Sequence, residues 1–260
     1  MSKVRADQLL VAQGLAESRT RAQALILAGN VFVGDRRVAK AGDMLAEDAA
    51  LTVKGRDHPW VSRGGIKLDH GLDHFGFEVT GDVALDVGSS TGGFTDVLLS
   101  RGAAKVYAVD VGTNQLAWKL RSDPRVAVHE QTNARELTDA IISEPVDIVV
   151  CDASFISLAK VLDAALGLAK PGAKLLALVK PQFEAGREEV GKGGVVRDPA
   201  VHERVCQQAA DWVRSKGWTI LGIEKSPITG PEGNVEFLLG AVKSPTGEPG
   251  TGALCLGQQE

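Results

Sequence analysis

Residues 83–112, VALDVGSSTGGFTDVLLSRGAAKVYAVDVG, constrain the fold of this 260-residue chain more than any other stretch. A short apolar run ends in Asp86-Val87-Gly88, a loop of Ser and Gly follows, and a second apolar run ends in Asp110. The pattern predicts a strand, a glycine turn, a helix and a second strand that ends in a carboxylate. Glycines let backbone N–H groups approach a ligand closely, and the second carboxylate can accept hydrogen bonds from a ribose diol. The stretch therefore predicts a site for a nucleoside-containing cofactor.

The side chains of this turn favour one class of cofactor. The dinucleotide pattern G-x-G-x-x-G requires a second glycine that admits a pyrophosphate, and Ser90 occupies that position. The Asp86 carboxylate would repel a pyrophosphate but attract an ammonium group. Both features favour S-adenosylmethionine, although a doubly wound fold whose turn binds another ligand, or none, is also consistent with the loop. The predicted cofactor contacts in this stretch are Asp86, Gly88, Ser90, Thr91, Gly92, Gly93, Phe94 and Asp110.

Composition excludes several classes of protein. No apolar stretch approaches the roughly 20 residues of a membrane helix, and residues 1–13 carry charges where a signal peptide has its apolar segment. We therefore expect a cytoplasmic protein. Cys151, Cys206 and Cys255 are too few and too widely spaced for a disulfide framework or a Cys-x-x-Cys metal knuckle. We expect a monomer without a bound metal.

Basic charge is concentrated at the N-terminus, although the whole chain has a net charge of −4. Residues 1–40 contain seven Lys and Arg against three Asp and Glu. Such a basic face supplies phosphate contacts that position a protein on RNA, whereas any single arginine could equally be a solvated surface charge. The predicted RNA contacts are Arg5, Arg19, Arg21, Arg36, Arg37, Lys40 and, beyond this segment, Arg63.

The first fifty residues predict a small α+β module. Apolar positions at helical spacing cover residues 4–13 and Gly14 ends that helix, while a second helix begins at the N-cap Ser18 and ends at Gly29-Asn30. A hairpin with its turn at residues 34–36 and a strand over residues 51–53 follow. The segment RADQLLVAQGLAESRTRAQALILAGNVFVGDRRVAKAGDML closely resembles the RNA-binding domain named after ribosomal protein S-four.

A Pro- and Gly-containing segment, residues 58–64, predicts a linker after this module. Trp60 within it either docks between the domains or is the first core residue of the second one. A helix over residues 66–75 follows, with His70 and His74 four positions apart. Since no third ligand is evident, we interpret the two histidines as surface residues rather than as a zinc site.

Beyond residue 82 the pattern alternates between strand and helix. Strands are predicted near residues 83–87, 105–109, 125–128, 147–151, 174–179, 218–224 and 235–242, and no helical run separates the last two. This order predicts a mostly parallel sheet wound on both sides, with an antiparallel final strand. The predicted fold class is α/β: a seven-stranded, Rossmann-like methyltransferase sheet behind a small N-terminal α+β RNA-binding domain. The ligand crevice belongs at the carboxyl ends of the strands.

Further polar residues follow the later strands. Asn133 comes after the third strand, where it could contact the adenine of the cofactor or cap a helix. Asp152 follows the apolar run VDIVVC, and Lys180 follows LLALV. A lysine between an apolar strand and a proline is unlike an ordinary solvent-exposed lysine, so Lys180 is a candidate site residue. The glycine-rich, charged stretch between Gln182 and Asp198 predicts a mobile lid or a solvated loop.

Five motifs in this order resemble one family over about 240 residues: SRGGIKLDHGL, LDVGSSTGGFTDVLL, CDASFISL, LVKPQFEAGR and SPITGPEGNVEFLL. The chain is similar to the TlyA family, whose members carry the names haemolysin and ribosomal-RNA cytidine 2′-O-methyltransferase, and its second domain resembles FtsJ-type RNA methyltransferases. The resemblance implies S-adenosylmethionine as cofactor and ribosomal RNA or ribosomal subunits as partner. It also implies an S-four domain over 1–57 and a methyltransferase domain over 65–243, on either side of the linker over 58–64. The composition of residues 244–260, outside the resemblance, predicts a disordered tail.

The resemblance further implies a catalytic tetrad, matched motif by motif. Its members are Lys67 in GGIKLD, Asp152 in CDASF, Lys180 in VKPQF and Glu236 in NVEF. A ribose hydroxyl is a weak acid and needs a base, a role that a lysine fills when burial and a neighbouring cation lower its pKa, while nearby carboxylates accept hydrogen bonds and orient it. We expect Lys180 to be this base, Asp152 to orient it near the donor methyl and to contact the cofactor, and Lys67 with Glu236 to hold the nucleotide. Without the resemblance, Lys67 and Glu236 would be interpreted as surface charges.

Three other functions are compatible with parts of this pattern. A membrane-lytic haemolysin would need a spanning segment or a strongly amphipathic basic helix, and the sequence offers neither beyond the helix of the RNA-binding module. A catalytically inactive ribosome-assembly factor would not need an intact tetrad. A base N-methyltransferase would carry Asn/Asp-Pro-Pro-aromatic after the fourth strand, where this chain has Asp152-Ala153-Ser154-Phe155. We therefore favour ribose 2′-O-methylation, with the target nucleotide left open.

Overall fold

The computed structural model describes residues 3–13, 15–16, 18–53 and 58–245. Contacts divide the chain into two units, Met1–Pro59 and Trp60–Glu260. The predicted helix end at Gly14, the third cysteine Cys255 and the predicted tail from residue 246 onward lie outside the described residues. Among the described residues, no helix combines the length and the apolar character that a membrane crossing requires.

The first unit packs two helices against short antiparallel strand pairs. Strand β2 pairs with β3 on one side and β5 on the other, and β1 pairs with β4. The predicted cap is confirmed, since the Ser18 side chain accepts the N–H of Arg21 at the start of α2. The elements are β1 (Lys3–Arg5), α1 (Ala6–Ala12), α2 (Arg19–Leu27), β2 (Val31–Val33), β3 (Arg36–Arg37), β4 (Met44–Ala46) and β5 (Leu51–Val53).

One predicted boundary in the first unit was wrong. Helix α1 begins at Ala6 and not at residue 4, because Lys3–Arg5 forms a strand that pairs with Met44–Ala46. Helical spacing of apolar residues reports only local periodicity, so it cannot reveal a pairing with residues about forty positions away. Beneath these strands Leu9, Leu10, Ile26 and other buried side chains form the core of the unit.

The second unit is an α/β fold. Three short 3₁₀ turns, at Ala134–Glu136, Arg187–Glu189 and Pro231–Gly233, interrupt its loops. The helices are α3 (Gly64–Phe75), α4 (Gly93–Ser100), α5 (Trp118–Arg121), α6 (Leu158–Val161), α7 (Asp163–Gly167), α8 (Pro181–Glu184) and α9 (Pro199–Ser215). The strands are β6 (Val83–Val87), β7 (Lys105–Val109), β8 (Val126–His129), β9 (Val146–Cys151), β10 (Ala169–Val179), β11 (Trp218–Lys225) and β12 (Phe237–Lys243).

Within the described residues of this unit, seven strands form one sheet in the order β11-β12-β10-β9-β6-β7-β8. Strands β8, β7, β6, β9 and β10 are parallel, and β12 runs antiparallel to both of its neighbours. The predicted fold class, strand positions and antiparallel final strand are therefore confirmed. The order reverses direction beside β6, so the carboxyl ends of β6 and β9 border the crevice where such sheets bind ligands.

Both faces of this sheet are covered. Alternate residues of β9 face opposite ways: Val149 and Cys151 join the core under α6, α7 and α9, while Ile148 and Val150 join the core under α3 and α4. We call these the α9-side core and the α3-side core. Burial on both sides explains why the strands read as continuous apolar runs rather than as alternating ones.

Trp60 is a packing residue of the second unit. Its side chain is partly buried against the α3-side core, and its ring lies so close to Gly65 that a side chain at Gly65 would overlap it. Of the two interpretations drawn from the sequence, the structure therefore describes Trp60 as the first core residue of this unit. The contact division also places residues 60–64, predicted as part of a linker, within the second unit.

Candidate active site

A glycine turn joins β6 to α4 and holds Asp110 in position. Gly92, the residue before α4, has φ +94°, a left-handed conformation that a glycine adopts without strain. The N–H of Ser90 donates to Asp110 Oδ2 at 2.8 Å, and the N–H of Gly112 donates to Oδ1 at 2.7 Å. Each carboxylate oxygen keeps a free acceptor position, which suits the two hydroxyls of a ribose.

Asp86 lies behind this turn and is completely buried. Thr95 Oγ1 donates to Asp86 Oδ2 at 2.7 Å, which ties the end of β6 to α4. Among the described residues, no group donates a hydrogen bond to the other oxygen, Oδ1. Burial raises the pKa of Asp86 to about 7, because an ionised carboxylate is poorly solvated there. A direct contact from Asp86 to the cofactor stays a prediction.

The raised pKa of Asp86 predicts a pH-dependent stability. A carboxyl in the unfolded chain titrates near about 3.9, so between that pH and about 7 the folded protein holds a proton that the unfolded chain has lost. The free energy of unfolding therefore falls as pH rises through this window. From about pH 5.5 to about pH 7, the wild type should lose roughly 1–2 kcal/mol that Asp86→Asn retains. Urea denaturation of both cofactor-free proteins measures the difference, and parallel profiles would contradict it.

Two cavities open at the carboxyl ends of the strands. One, of about 520 Å³, is lined by Asp110, Gln115, Asn133 and Ile156, among others, and we call it the cofactor cavity after the predicted cofactor contacts in its wall. The other, of about 400 Å³, is lined by the four residues of the predicted tetrad and by the segment around Arg63, and we call it the catalytic cavity after that prediction. Both volumes lie within the roughly 300–1,000 Å³ typical of ligand pockets. The two cavities share one wall, formed by Gly88, Ser90, Asp152 and Ser154.

The tetrad predicted from the family resemblance is assembled in the catalytic cavity. Lys180 Nζ lies 2.6 Å from Asp152 Oδ1 and donates to Ser154 Oγ at 2.9 Å. Lys67 Nζ lies 2.5 Å from Glu236 Oε2, and both side chains are almost fully buried. Two lysine–carboxylate pairs therefore border one space, and Asp152, the partner of Lys180, also belongs to the wall shared with the cofactor cavity.

Sheet topology explains how these distant residues meet. Asp152 follows β9 and Lys180 follows β10, and the two strands are parallel neighbours whose carboxyl ends coincide. Val179 pairs with Phe237 in the antiparallel ladder, so Lys180 and Glu236, the next residue outward on each strand, lie at the same edge. Lys67 reaches this edge from the first turns of α3.

The predicted cofactor residues divide between the two cavities. The cofactor cavity alone is lined by Asp110 and Asn133, and the catalytic cavity alone by Thr91, Gly93 and Phe94. Both cavities are lined by Gly88, Ser90 and Asp152. Gly92 supplies the left-handed start of α4. Asn133 caps the 3₁₀ turn after β8, its Oδ1 accepting the N–H of Arg135, as one of the two interpretations from the sequence expected. Its contact with adenine stays a prediction.

The predicted RNA contacts fall in different surroundings. In the first unit, Arg5 and Arg19 donate to the buried Asp7, and the Arg5 hydrogen bonds hold the pKa of that carboxyl well below its usual range. Both guanidinium side chains nevertheless remain about half exposed. Arg21 is half-buried, whereas Arg36, Arg37 and Lys40 are exposed. Arg63 belongs to the second unit, where it lines the catalytic cavity and lies 3.5 Å from the carbonyl oxygen of Thr229.

Sequence reasoning missed two features of the site. Phe155 is 90% exposed at the rim of the cofactor cavity and holds φ +65°, a strained conformation for a bulky residue. Its ring centroid lies 5.1 Å from that of Phe183. Gly230 is also required, because a side chain there would overlap the Glu236 carboxylate. The signal for Phe155 was present, since an aromatic follows the polar end of a buried strand, but nothing local marks Gly230.

Comparisons with known proteins agree with this geometry. Residues 60–243 match the FtsJ-like methyltransferase family and residues 4–50 match the S4 domain. The chain is 50% identical to the 16S/23S rRNA (cytidine-2′-O)-methyltransferase TlyA of Mycobacterium tuberculosis over 91% of this chain and 89% of that protein. It is 39% identical to Hemolysin A of Brachyspira hyodysenteriae, over 90% and 98%.

A solved structure shares the fold as well. The structure of a hemolysin-named protein from Streptococcus thermophilus superposes with a TM-score of 0.71, at 43% identity over 94% of this chain and 90% of that one. Sequence identity of this level over nearly the whole length, together with matches in both units, identifies the family. The chain belongs to the FtsJ-like methyltransferases and, within them, to the TlyA proteins that carry an S4 domain.

Proposed function

We propose that this chain transfers a methyl group from S-adenosylmethionine to the 2′-hydroxyl of a cytidine in ribosomal RNA. The observation that carries the proposal is the shared wall, where Asp152 lies between a cavity suited to a nucleoside cofactor and a cavity open to a second nucleotide. Lys180 contacts this wall from the second cavity, through Asp152 and Ser154. The M. tuberculosis relative is named for this reaction on cytidine. Because ribosomal RNA is made and assembled in the bacterial cytoplasm, we place the enzyme there.

The residues present fit S-adenosylmethionine. Asp110, held by two backbone N–H groups, would offer acceptors to a ribose diol, and the Asp152 carboxylate, in the wall of the same cavity, would attract the positive charge of the cofactor. When bound there, the cofactor supplies an electrophilic methyl group. Asn133 and Ile156 would flank the adenine in the same cavity.

The catalytic cavity supplies positioning and proton removal. In its neutral form Lys180 would accept the proton of the 2′-hydroxyl, and that oxygen would take the methyl group as the bond from methyl to the cofactor sulfur breaks and its electron pair stays on sulfur. Asp152 fixes the Lys180 amine by their 2.6 Å contact, and Ser154 adds a second contact. Lys67 and Glu236 line the same cavity and hold the nucleotide there, and Glu236 Oε1 is buried and has no hydrogen-bond partner among the described residues. A ribose hydroxyl could donate to that oxygen.

Mapping of 2′-O-methyl groups tests the proposal. Ribosomal subunits from cells that lack this protein are incubated with the pure protein and radiolabelled S-adenosylmethionine, and the modified nucleotides are located by primer extension. We expect label on cytidine ribose. Label on a base would contradict ribose methylation, and RNA binding without any label would favour an assembly factor. Separate small and large subunits identify which of the two is the substrate.

Phe155 provides a specific prediction for RNA recognition. An exposed aromatic ring beside a methyl-transfer site offers a stacking surface to an unstacked base, and such stacking contributes about 1–3 kcal/mol per base. Phe155→Ala should therefore lower kcat/KM for ribosomal RNA roughly tenfold to a hundredfold at a saturating concentration of cofactor. Because Phe155 also lines the cofactor cavity, cofactor affinity is measured separately. The control is Trp118→Ala, which removes another exposed aromatic that lines neither cavity among the described residues. Equal kcat/KM values for the two variants would rule out the stacking role.

A further inference from the structure

We propose that His70, His74 and Glu224 form a binding site for one zinc ion in the second unit, outside both cavities. The sequence prediction found only the two histidines, and the missing third ligand comes from β11. His70 Nε2 lies 3.6 Å from Glu224 Oε1, and His74 Nε2 lies 3.9 Å from Glu224 Oε2. One ligand atom from each of the three side chains lies within 4.8 Å of the others.

These donors are those of a three-ligand zinc site. Zinc accepts two imidazole nitrogens and one carboxylate oxygen in tetrahedral geometry, with water as the fourth ligand. Bonds of about 2.0–2.1 Å place neighbouring donors roughly 3.3 Å apart, so the donor atoms need to close by at most about 1.5 Å. Rotation of partly exposed side chains supplies a movement of that size.

Hydrogen bonds between the three side chains do not explain why the two histidines converge on Glu224. Neither histidine lies within hydrogen-bond distance of the carboxylate on which both converge. The Nε2 atom of His70 is itself buried and has no hydrogen-bond partner among the described residues. A cation between the three groups would satisfy that nitrogen and the carboxylate together.

Helix α3 presents the two histidines on a fixed frame. Positions four apart lie on one helix face, so both imidazoles point the same way. Leu68 and Leu72 anchor the helix in the α3-side core, and the Phe75 ring lies where a side chain at Gly240 would be. The backbone that carries the ligands is therefore held against β11 and β12.

An irregularity in β11 turns Glu224 toward this helix. Trp218 and Ile220 face the α9-side core, and ordinary alternation would send Glu224 to the same side. The register shifts between Ile220 and Gly222, after which Ile223 faces the α9-side core while Gly222 approaches Phe75 of α3. One extra residue thus moves Glu224 to the histidine side, which is how bulges re-aim side chains.

The position of the site indicates a structural ion rather than a catalytic one. Lys67 lies one turn before His70 on the same helix, and Glu224 pairs with Leu238, two residues beyond Glu236. A bound zinc would therefore join α3, which carries Lys67, to β11. Strand β11 is the neighbour of β12, and Glu236 directly precedes β12. This would resist separation of the two halves of the Lys67–Glu236 pair.

Zinc titration of the metal-free full-length chain tests the site. Competition with a chromophoric chelator should give one ion per chain at these residues, and zinc at 100 times its Kd should raise Tm by about 5–10 °C. We expect each of three single variants to weaken zinc binding by more than about 100-fold: His70→Ala, His74→Ala and Glu224→Gln. Loss of a residue that only hydrogen-bonds to a metal ligand costs roughly 10–100-fold in affinity, and loss of a ligand itself should cost more. Bound cobalt in place of zinc should show the strong visible absorption of four-coordination.

Two control variants make the result specific. His129→Ala removes a half-buried histidine that stacks on Tyr107, and Cys255→Ser removes a thiol outside the described residues; both should bind zinc as the wild type does. The proposal fails if the double variant His70→Ala/His74→Ala binds zinc as tightly as the wild type, or if the wild type binds none. Circular dichroism of each variant checks its folding. No readout uses methyl transfer, so the outcome is independent of the proposed function.

Discussion

Lys180→Ala is expected to lower the rate of methyl transfer by about a hundredfold to ten-thousandfold, the range that a positioned general base contributes. Lys180 lines the catalytic cavity and is not part of the cofactor-cavity wall, so the affinity for S-adenosylmethionine should stay within about twofold. Single-turnover transfer of radiolabel to ribosomal subunits measures the rate, and calorimetry measures the cofactor affinity. Asp152→Ala should impair both quantities, because Asp152 borders both cavities.

A lysine near the start of β10 provides the matched control, since Lys180 directly follows the end of that strand. Lys170 contacts Asp147 at 2.7 Å and is 43% exposed. Lys170→Ala removes the same kind of side chain far from the cavity, and it should leave the rate unchanged. If Lys180→Ala retains more than about a tenth of the wild-type rate, Lys180 is not the base.

The Lys67–Glu236 pair predicts the largest effect on stability. The exposed fractions of the two side chains are 9% and 0%, so removing one partner leaves a buried charge without compensation. Lys67→Met should lower the free energy of unfolding by about 3–5 kcal/mol and also abolish methyl transfer. Urea denaturation of the cofactor-free protein measures the first quantity.

A double variant separates folding from catalysis at this pair. Lys67→Met/Glu236→Leu removes both charges and should recover most of the lost stability, since apolar replacement of a buried ion pair is often neutral or stabilising. Methyl transfer should stay absent, because the nucleotide would still lack its polar contacts. Recovery of activity together with stability would show that the pair only supports the fold. Lys216→Met, which breaks an exposed pair with Asp163, should cost at most about 1 kcal/mol.

Local sequence patterns predicted most of the fold. The glycine turn, its two flanking strands and the Ser18 cap each depend on residues within about ten positions of one another, and the structure confirms all three. The antiparallel last strand was also predictable, because no helix separates it from the strand before it. These features follow from periodicity and capping, which act over short distances along the chain.

Contacts between segments that are distant in the sequence could not be predicted from local periodicity or capping. Lys67 and Glu236 are 169 positions apart, and each alone resembles a surface charge until helix α3 packs against β12 and brings the two side chains together. Glu224 escaped notice for a related reason, because a one-residue register shift decides which side of the sheet it faces. Only the family resemblance pointed to Lys67 and Glu236, and nothing in the sequence pointed to Glu224.

The wall that the two cavities share also has a pharmacological consequence. Among the described residues, both cavities are lined by the same four residues, Gly88, Ser90, Asp152 and Ser154, and by no others in common. The cavities are therefore adjacent, and a single small molecule could occupy both of them at once. An adenosine joined by a short amine tether to a cytidine would mimic the arrangement of the transition state, and such analogues bind far more tightly than either half. The two cavities thus provide a template for bisubstrate inhibitors of this enzyme.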